Sequence, residues 1–254
     1  MTVAARFEIE YLQYLKPDGT LAGDLPPAVP DANALLPLFK RMLFVRTFDS
    51  KAIALQRTGK LGTYAACLGH EATHVGIGAS MQPDDVFAPS YREYGAQFER
   101  GVKPRDVLMY WGGDERGNDF EIPRKDYPWC VPISTQCLMA SGAALSFKLR
   151  GENRVAVATC GDGGSSKTDF YAAVNSAGAF TLPLVLCVIN NGWAISVPRK
   201  AQTGADTLAQ KGLAGGLHCL QVDGNDLIAV LEAMRRAHAR ARAGEGGSVI
   251  EFMT

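Results

Sequence analysis

The sequence predicts an α/β fold, a parallel sheet with helices on both faces. Two short apolar runs, residues 155–160 and 184–189, flank a helical pattern over residues 167–179. This arrangement is typical of a βαβ unit, whose two strands are parallel and buried on both sides. With 254 residues, the chain is long enough to form one large domain around a sizeable core.

Further helices and strands follow from periodicity and from turn residues. The chain divides into an N-terminal arm, residues 1–32, and an α/β domain, residues 33–254. The arm contains several prolines, including Pro30, and we expect either a terminal strand and loop or a segment that wraps a neighbour. In the domain, helices are predicted over 31–58, 71–81, 103–111, 136–149 and 227–243, and strands over 86–88, 221–222 and 248–253.

Composition narrows the classes of function. The 26 basic and 26 acidic side chains cancel, so no basic face indicates nucleic-acid binding. No apolar run approaches the roughly 20 residues that span a bilayer, and a cytoplasmic protein without membrane contacts is the simplest interpretation. The six cysteines are scattered rather than paired at metal-binding spacing, which favours reduced thiols. His70 and His74 share a helix face, but no third ligand is near them in sequence, so we favour a role other than metal binding.

The most informative motif follows the first apolar run. Gly161, Gly163 and Gly164 allow a tight turn close to a ligand, and the N-terminus of the next helix suits a phosphate. Asp162 would repel a bare phosphate but fits if a divalent cation lies between the two. Asn191, at the end of the next strand, offers a similar hard oxygen at the same edge of the sheet.

A second cluster follows the predicted strand 86–88. Tyr91 offers a hydroxyl, and Arg92 offers the planar fork of donors that suits a diphosphate. The alternative is a surface ion pair between Arg92 and Glu93 or Glu99. Beside the glycine turn, the diphosphate interpretation is favoured.

Together these segments resemble the α subunit of the decarboxylating component of 2-oxo acid dehydrogenase complexes, most like the bacterial pyruvate-type subunits. The Gly-Asp-Gly and Asn-Asn pair resembles the thiamine diphosphate motif. The segments that carry the resemblance are Leu68-Gly69-His70-Glu71-Ala72, Ser90-Tyr91-Arg92-Glu93, Gly161-Asp162-Gly163, Asn190-Asn191 with Trp193-Ala194-Ile195-Ser196-Val197-Pro198, and Val222-Asp223-Gly224-Asn225-Asp226.

The resemblance implies a thiamine diphosphate-binding fold and a magnesium site. Asp162, Asn191 and the carbonyl of Trp193 would hold the cation, while Tyr91 and Arg92 would contact the diphosphate. Ile133 matches the aliphatic residue that supports the bent cofactor, and the glycines of the turn complete the site. Potassium in some family members binds a loop that matches Cys130, Pro132, Thr135 and Gln136, although a cysteine at the first position departs from the pattern.

The implied activity is oxidative decarboxylation of pyruvate, with acyl transfer to a lipoyl group. The implied partners are a β subunit, in a heterotetramer, and the lipoyl-bearing acyltransferase of the complex. The β subunit would supply the glutamate that activates the cofactor, so no catalytic residue is assigned to this chain. A branched-chain 2-oxo acid substrate and a truncated, non-catalytic cofactor-binding module are the alternatives.

Three features depart from the family pattern. The family usually has Gln at His70, and Gly and Glu at Thr168 and Ala172. Family members also continue well beyond Thr254, through a loop with a catalytic histidine. We therefore expect this chain to be truncated at its C-terminus, with little activity by itself.

Overall fold

A six-stranded parallel sheet forms the centre of the protein. The computed structural model describes residues 2–27, 31–122 and 125–254. All pairings in the large sheet are parallel, in the order β1-β7-β8-β4-β3-β2, and β5 and β6 form a separate antiparallel hairpin. The strands are β1 Glu10–Leu12, β2 Val86–Ala88, β3 Ala156–Gly161, β4 Leu184–Asn190, β5 Trp193–Ala194, β6 Val197–Pro198, β7 His218–Asp223 and β8 Ser248–Met253.

Seven α-helices are described around the sheet. Six of them match the helices predicted from periodicity, and the third was not predicted because it is short and fully enclosed. The helices are α1 Ala32–Arg57, α2 Glu71–Ser80, α3 Tyr94–Glu99, α4 Pro104–Trp111, α5 Thr135–Arg150, α6 Thr168–Ala179 and α7 Leu227–Arg242.

Helices cover both faces of the sheet, which confirms the predicted fold class. One apolar cluster joins α5 and α6 to the strands, with Phe147 and Phe170 among its members. The opposite cluster joins α2 and α7 to the other face, through Ile77 and Met234. Because both faces are buried, the strands are almost continuously apolar, as β4 shows with all seven residues buried.

A third apolar cluster lies beyond the edge of the sheet. It packs α1, α3 and α4 around aromatic rings, among them Phe48, Tyr94 and Trp129. Phe48 and Tyr94 meet edge to face with ring centroids 6.2 Å apart. This cluster fixes α3, and so fixes the residues that link it to β2.

Three features differ from the sequence expectations or go beyond them. β1 joins the sheet, with Tyr11 opposite Gln221 of β7; the predicted arm also includes Pro30 and other residues outside the described ranges. The hairpin β5–β6 is not among the elements predicted from the sequence. On α7, whose outer face is rich in arginine, Arg242 is not solvated, because its guanidinium pairs with fully buried Asp85 at 2.6 Å.

Three further observations on the described residues concern membrane-spanning helices, metal sites and cysteines. None of their helices is both long enough and apolar enough to cross a membrane. No group of three or more His, Cys, Asp or Glu side chains within the described ranges is arranged to hold a metal ion. All six cysteines are free, and five of them are buried.

Candidate functional site

The predicted site residues meet in one cleft of about 290 Å³. The cleft lies where β2, β3 and β4 end, which is the edge at which parallel sheets bind ligands. Its volume is near the lower end of the usual range for small-molecule sites. All nine predicted residues line it: Tyr91, Arg92, Ile133, Gly161, Asp162, Gly163, Gly164, Asn191 and Trp193.

Asp162 is the one carboxylate of the predicted set, and it is buried, at 3% exposure. Burial raises the pKa of Asp162, while a hydrogen bond from Gln202 and the charge of Arg199 oppose that rise. The Gln202 amide lies 3.4 Å from Oδ2, and no ion pair to Asp162 is found among the described residues. A desolvated carboxylate without a cationic partner is well suited to a metal ion.

The structure separates the roles of the two asparagines that follow β4. Asn190 is 1% exposed, donates its amide to Glu251 at 2.7 Å and accepts from the Gly192 amide at 3.0 Å. Its side chain is therefore committed to the fold. Asn191 is exposed and lines the cleft, and its Oδ1 accepts only the amide of Trp193, at 3.1 Å, among the described residues.

The hairpin that follows Asn191 presents Trp193. Trp193 pairs with Pro198 across β5 and β6. Because proline has no N–H, Pro198 cannot donate to the Trp193 carbonyl. That carbonyl is therefore compatible with the ligand role implied for it, close to Asn191 in the chain.

The glycine turn owes its glycines to close packing rather than to unusual dihedral angles. Gly163 has φ −59° and ψ −34°, values that any residue adopts. A Cβ on Gly163 would lie 2.5 Å from the Cβ of Ala194, and one on Gly164 would lie 2.6 Å from the hydroxyl of Ser134. Besides the predicted close approach of a ligand, Gly163 and Gly164 therefore let the hairpin and the N-cap of α5 approach the turn.

The helix after the turn begins within one residue of its predicted start, and a short 3₁₀ turn separates it from the glycines. This single 3₁₀ turn is Gly164–Ser166, and α6 starts at Thr168. The amides of Ser165 and Ser166 bond the carbonyls of Asp162 and Gly163 at 3.1 and 3.2 Å. The positive end of the α6 dipole is thus one turn away from the glycines. Lys167, at the N-cap of α6, follows the glycine turn in the chain and lines the cleft.

Arg92 is not engaged in the alternative ion pair considered for it. Glu99 pairs instead with Arg41, at 2.7 Å, and Glu93 accepts hydrogen bonds from Ser90. The Arg92 guanidinium donates to the carbonyl of Ala66 and lies 5.8 Å from the centre of the Tyr91 ring. Its remaining donors are available to an anion in the cleft.

A buried polar network connects the elements that carry the site. The Ser90 hydroxyl lies 2.7 Å from the Glu93 carboxyl, and the Ser90 amide donates to the Thr159 hydroxyl at 3.1 Å. Gln136 of α5 donates to the Thr159 carbonyl at 2.7 Å. Glu93 is 2% exposed, and burial raises its pKa. No pattern in the sequence indicates this role of Glu93 beyond its position next to Arg92.

Two buried polar atoms of the cleft residues lack partners among the described residues. They are Oε1 of Gln136 and Nδ1 of His70, whose side chains are 2% and 6% exposed. Burial and the charge of Arg92 lower the pKa of His70 to about 4, so its ring is neutral at pH 7. Unpaired buried atoms are uncommon and indicate a missing water, ion or ligand.

The loop matched to the potassium site packs against the glycine turn. Ser134 has φ 67°, and its hydroxyl donates to the Gly164 carbonyl at 2.7 Å. Thr135 donates to Asp169 at 3.1 Å, and the Cys130 thiol is 3.8 Å from the Pro132 carbonyl. The loop therefore supports Ile133, which lines the cleft with 41% of its surface exposed.

Comparison with known proteins identifies the family to which this chain belongs. A sequence profile for the dehydrogenase E1 component matches residues 39–254. The chain belongs to this family. It is 40% identical over 230 residues to a "Pyruvate dehydrogenase E1 component subunit alpha" from Acholeplasma laidlawii, covering 91% of this chain and 66% of that protein. The proteins of the same name from Staphylococcus aureus and Staphylococcus epidermidis are 38% identical over 248 residues, covering 97% of this chain and 67% of theirs.

Family membership confirms the resemblance predicted from the sequence motifs. The chain spans about two thirds of the length of these curated relatives. A solved structure described as a thiamin diphosphate-dependent enzyme from Mycobacterium smegmatis is 18% identical, with a TM-score of 0.46, and the match covers 72% of this chain and 31% of that one.

Proposed function

We propose that this E1 component chain is the α subunit of a thiamine diphosphate-dependent pyruvate dehydrogenase. It would take part in oxidative decarboxylation of pyruvate and transfer of the acyl unit to a lipoyl group. The observation that carries the proposal is the convergence of nine residues, chosen from sequence motifs, on one cleft. The relatives are named as pyruvate dehydrogenase subunits, which supports pyruvate as the substrate.

The residues present fit magnesium and the cofactor. Asp162 and Asn191 would hold the cation with the Trp193 carbonyl, since all three offer the oxygens that magnesium prefers. When bound, thiamine diphosphate supplies the electron sink that decarboxylation of a 2-oxo acid requires. The unpaired atoms of Gln136 and His70 give independent support for a ligand in this cleft.

The cations of the cleft would bind the diphosphate. Arg92 would donate from one wall and Lys167 from the other, and both line the cleft. Ile133 would support the bent cofactor by contact with its apolar body. The polar network under Ser90 would keep Arg92 at a fixed distance from the glycine turn, so that binding orders few side chains.

A potassium ion would fit the adjacent loop. Gln136 offers its unpaired Oε1, and Pro132 and Thr135 offer oxygens. Cys130 would contribute its backbone carbonyl, since a neutral thiol is a poor ligand for a hard cation. Such an ion would hold the loop that carries Ile133.

The β subunit would complete the site. Glu93 is the buried glutamate that lines the cleft beside Asp162, but the Ser90 hydroxyl donates to its carboxyl group next to Arg92, so we assign the activating glutamate to the partner. α1 exposes the apolar side chains of Leu36, Phe39 and Leu43 by 50%, 51% and 49%. Their helical spacing forms a stripe suited to another subunit. We place the heterotetramer, with its lipoyl-bearing acyltransferase, in the cytoplasm.

Calorimetry on the chain combined with a β subunit tests the cofactor assignment. Thiamine diphosphate should bind with magnesium and bind much more weakly without it. Binding that ignores magnesium would contradict the role given to Asp162. Turnover of pyruvate and of a branched-chain 2-oxo acid by the same preparation then tests the substrate, and a preference for the branched-chain acid would overturn the choice of pyruvate.

Sedimentation of the isolated chain tests the need for a partner. We expect self-association or poor solubility, because the stripe on α1 and half of the cofactor site lack their partner surfaces. A monomer that binds thiamine diphosphate tightly by itself would contradict the proposed assembly.

A further inference from the structure

Lys211 lies buried beneath the glycine turn. It belongs to the 3₁₀ segment Ala209–Gly215 and is 6% exposed. Its ammonium donates to the carbonyl and the hydroxyl of Ser165, both at 2.9 Å, and lies 3.4 Å from the hydroxyl of Ser166. All three contacts are therefore to the 3₁₀ turn that begins at Gly164.

The charge of Lys211 is not neutralised by an ion pair within the described residues. The charge of Glu251 raises the pKa of Lys211, but its carboxylate is engaged elsewhere: it accepts the amides of Leu208 and Ala209 at 2.8 and 3.1 Å and the side-chain amides of Asn190 and Gln221. Burial lowers the pKa of Lys211, and the charge of Asp162 opposes this. A buried ammonium without a carboxylate is costly, and such a group beside a cleft is a candidate for a functional role.

The contacts give the ammonium two effects on the cleft. It donates to the carbonyl and the hydroxyl of Ser165, and the hydroxyl and the amide of Ser165 donate in turn to the Asp162 carbonyl, at 2.7 and 3.1 Å. Through the Ser165 hydroxyl it therefore supports the backbone that positions the Asp162 side chain. It also places a positive charge behind the turn, on the side away from the solvent. Water screens this charge weakly, so it acts on an anion in front of the turn.

We propose that Lys211 is a positioning residue that prepares the glycine turn for the anionic diphosphate tail of the cofactor. The inference rests on the proposed thiamine diphosphate site. It assigns to Lys211 no contact with the substrate or with the reacting atoms. Lys167 and Arg92 would contact the diphosphate directly, whereas Lys211 acts through the backbone of Ser165 and through its charge.

The decisive measurement compares two ligands that differ only in the diphosphate. Calorimetry with magnesium gives dissociation constants for thiamine diphosphate and for thiamine, using the α chain together with its β subunit. Lys211→Gln keeps a donor for the Ser165 carbonyl but removes the charge. Affinity for thiamine diphosphate should fall about tenfold or more, because the lost interaction is with a charged group, while thiamine should change by less than about twofold.

Two further variants separate charge from packing. Lys211→Arg keeps the charge and should retain selectivity for the diphosphate within about threefold of the wild type. Lys148→Met is the matched control, because Lys148 also donates to a backbone carbonyl, that of Phe180, but lies outside the cleft. It should leave both affinities unchanged.

The outcomes separate this inference from the proposed function. Equal losses for both ligands in Lys211→Gln, or no loss for either, would overturn the role of Lys211. A wild-type protein that does not prefer thiamine diphosphate to thiamine would instead overturn the cofactor assignment. If Lys211→Gln fails to fold, Lys211→Arg alone decides: retained selectivity supports the charge role, and selectivity lost in a folded protein contradicts it.

Discussion

The two ends of the sheet differ in whether their buried charged side chains form ion pairs. Where β2 and β3 begin, Asp85 accepts the amides of Gln82 and Val155 and pairs with Arg242 at 2.6 Å, while Arg100 and Asp126 form a pair in which both side chains are 4% exposed. Where the same strands end, Asp162 and Lys211 are as deeply buried but form no ion pair within the described residues. Paired charges fix the fold at one end, and at the other end the unpaired charges lie at the ligand site that we propose.

The largest expected effect is on stability, at the end with paired charges. Arg242→Met leaves Asp85 buried without its cation, which should cost about 3–5 kcal/mol of unfolding free energy. Urea unfolding measures this. Arg240→Met is the control, since Arg240 pairs with exposed Glu245 and should lose no more than about 1 kcal/mol. Similar losses in both variants, or a large loss of cofactor affinity in Arg242→Met, would break the contrast.

The next effect is on binding, at the end with unpaired charges. Asp162→Ala removes a proposed metal ligand and should weaken thiamine diphosphate and magnesium together. Mutation of a residue that only supports a metal ligand typically lowers metal affinity or activity about 10–100-fold. Loss of a ligand itself should lower the affinity at least as much. Its stability should change little, because no ion pair is broken. Asp206→Ala, an exposed carboxylate, serves as the control in calorimetry.

Arg92→Ala should give a loss of comparable or smaller size that differs in kind. One charge-assisted contact to the diphosphate disappears, which corresponds to about 1.5–3 kcal/mol of binding free energy. The dependence on magnesium should remain, because the metal ligands are intact. If magnesium dependence disappears as it does in Asp162→Ala, the separation of metal ligands from diphosphate ligands is wrong.

The smallest expected effect is a loss of stability at acidic pH. Burial lowers the pKa of His238 to about 4, with Asp85 and Arg242 acting in opposite directions. The unfolded chain takes up this proton near pH 6.5 and the folded chain only near 4, so stability falls as pH drops between these values. At pH 5 the loss from this residue is about 2 kcal/mol. His238→Gln should reduce the decline in unfolding free energy between pH 7.5 and 5; an unchanged decline would contradict the assignment.

Much of the fold could be predicted because it depends on patterns within short stretches of the sequence. The runs that became β3 and β4 are apolar throughout, and the helices that became α5 and α7 are bounded by clear turn residues. The site was predictable for a related reason, since strand ends in a parallel sheet meet at one edge, and residues 91, 162 and 191 each follow a strand.

The remaining features depend on contacts between distant segments. Nothing near Lys211 in the sequence indicates that its ammonium would reach Ser165, 46 positions away. Asn190 and Asn191 are identical in sequence terms, and only Glu251 of β8 commits the first to the fold. The pairing of Arg242 with Asp85 spans 157 positions, which no helical pattern within α7 could reveal.

The contact between the glycine turn and the hairpin also restricts how this sequence can change over evolutionary time. Gly163 has dihedral angles that alanine would adopt freely, so the barrier to replacing it comes from Ala194, whose Cβ would lie 2.5 Å from the added Cβ while other neighbours would lie at 3.5 Å. Positions 163 and 194 are thus linked by epistasis. Gly163→Ala would be damaging as a single step, yet tolerated in a lineage that had first acquired Ala194→Gly.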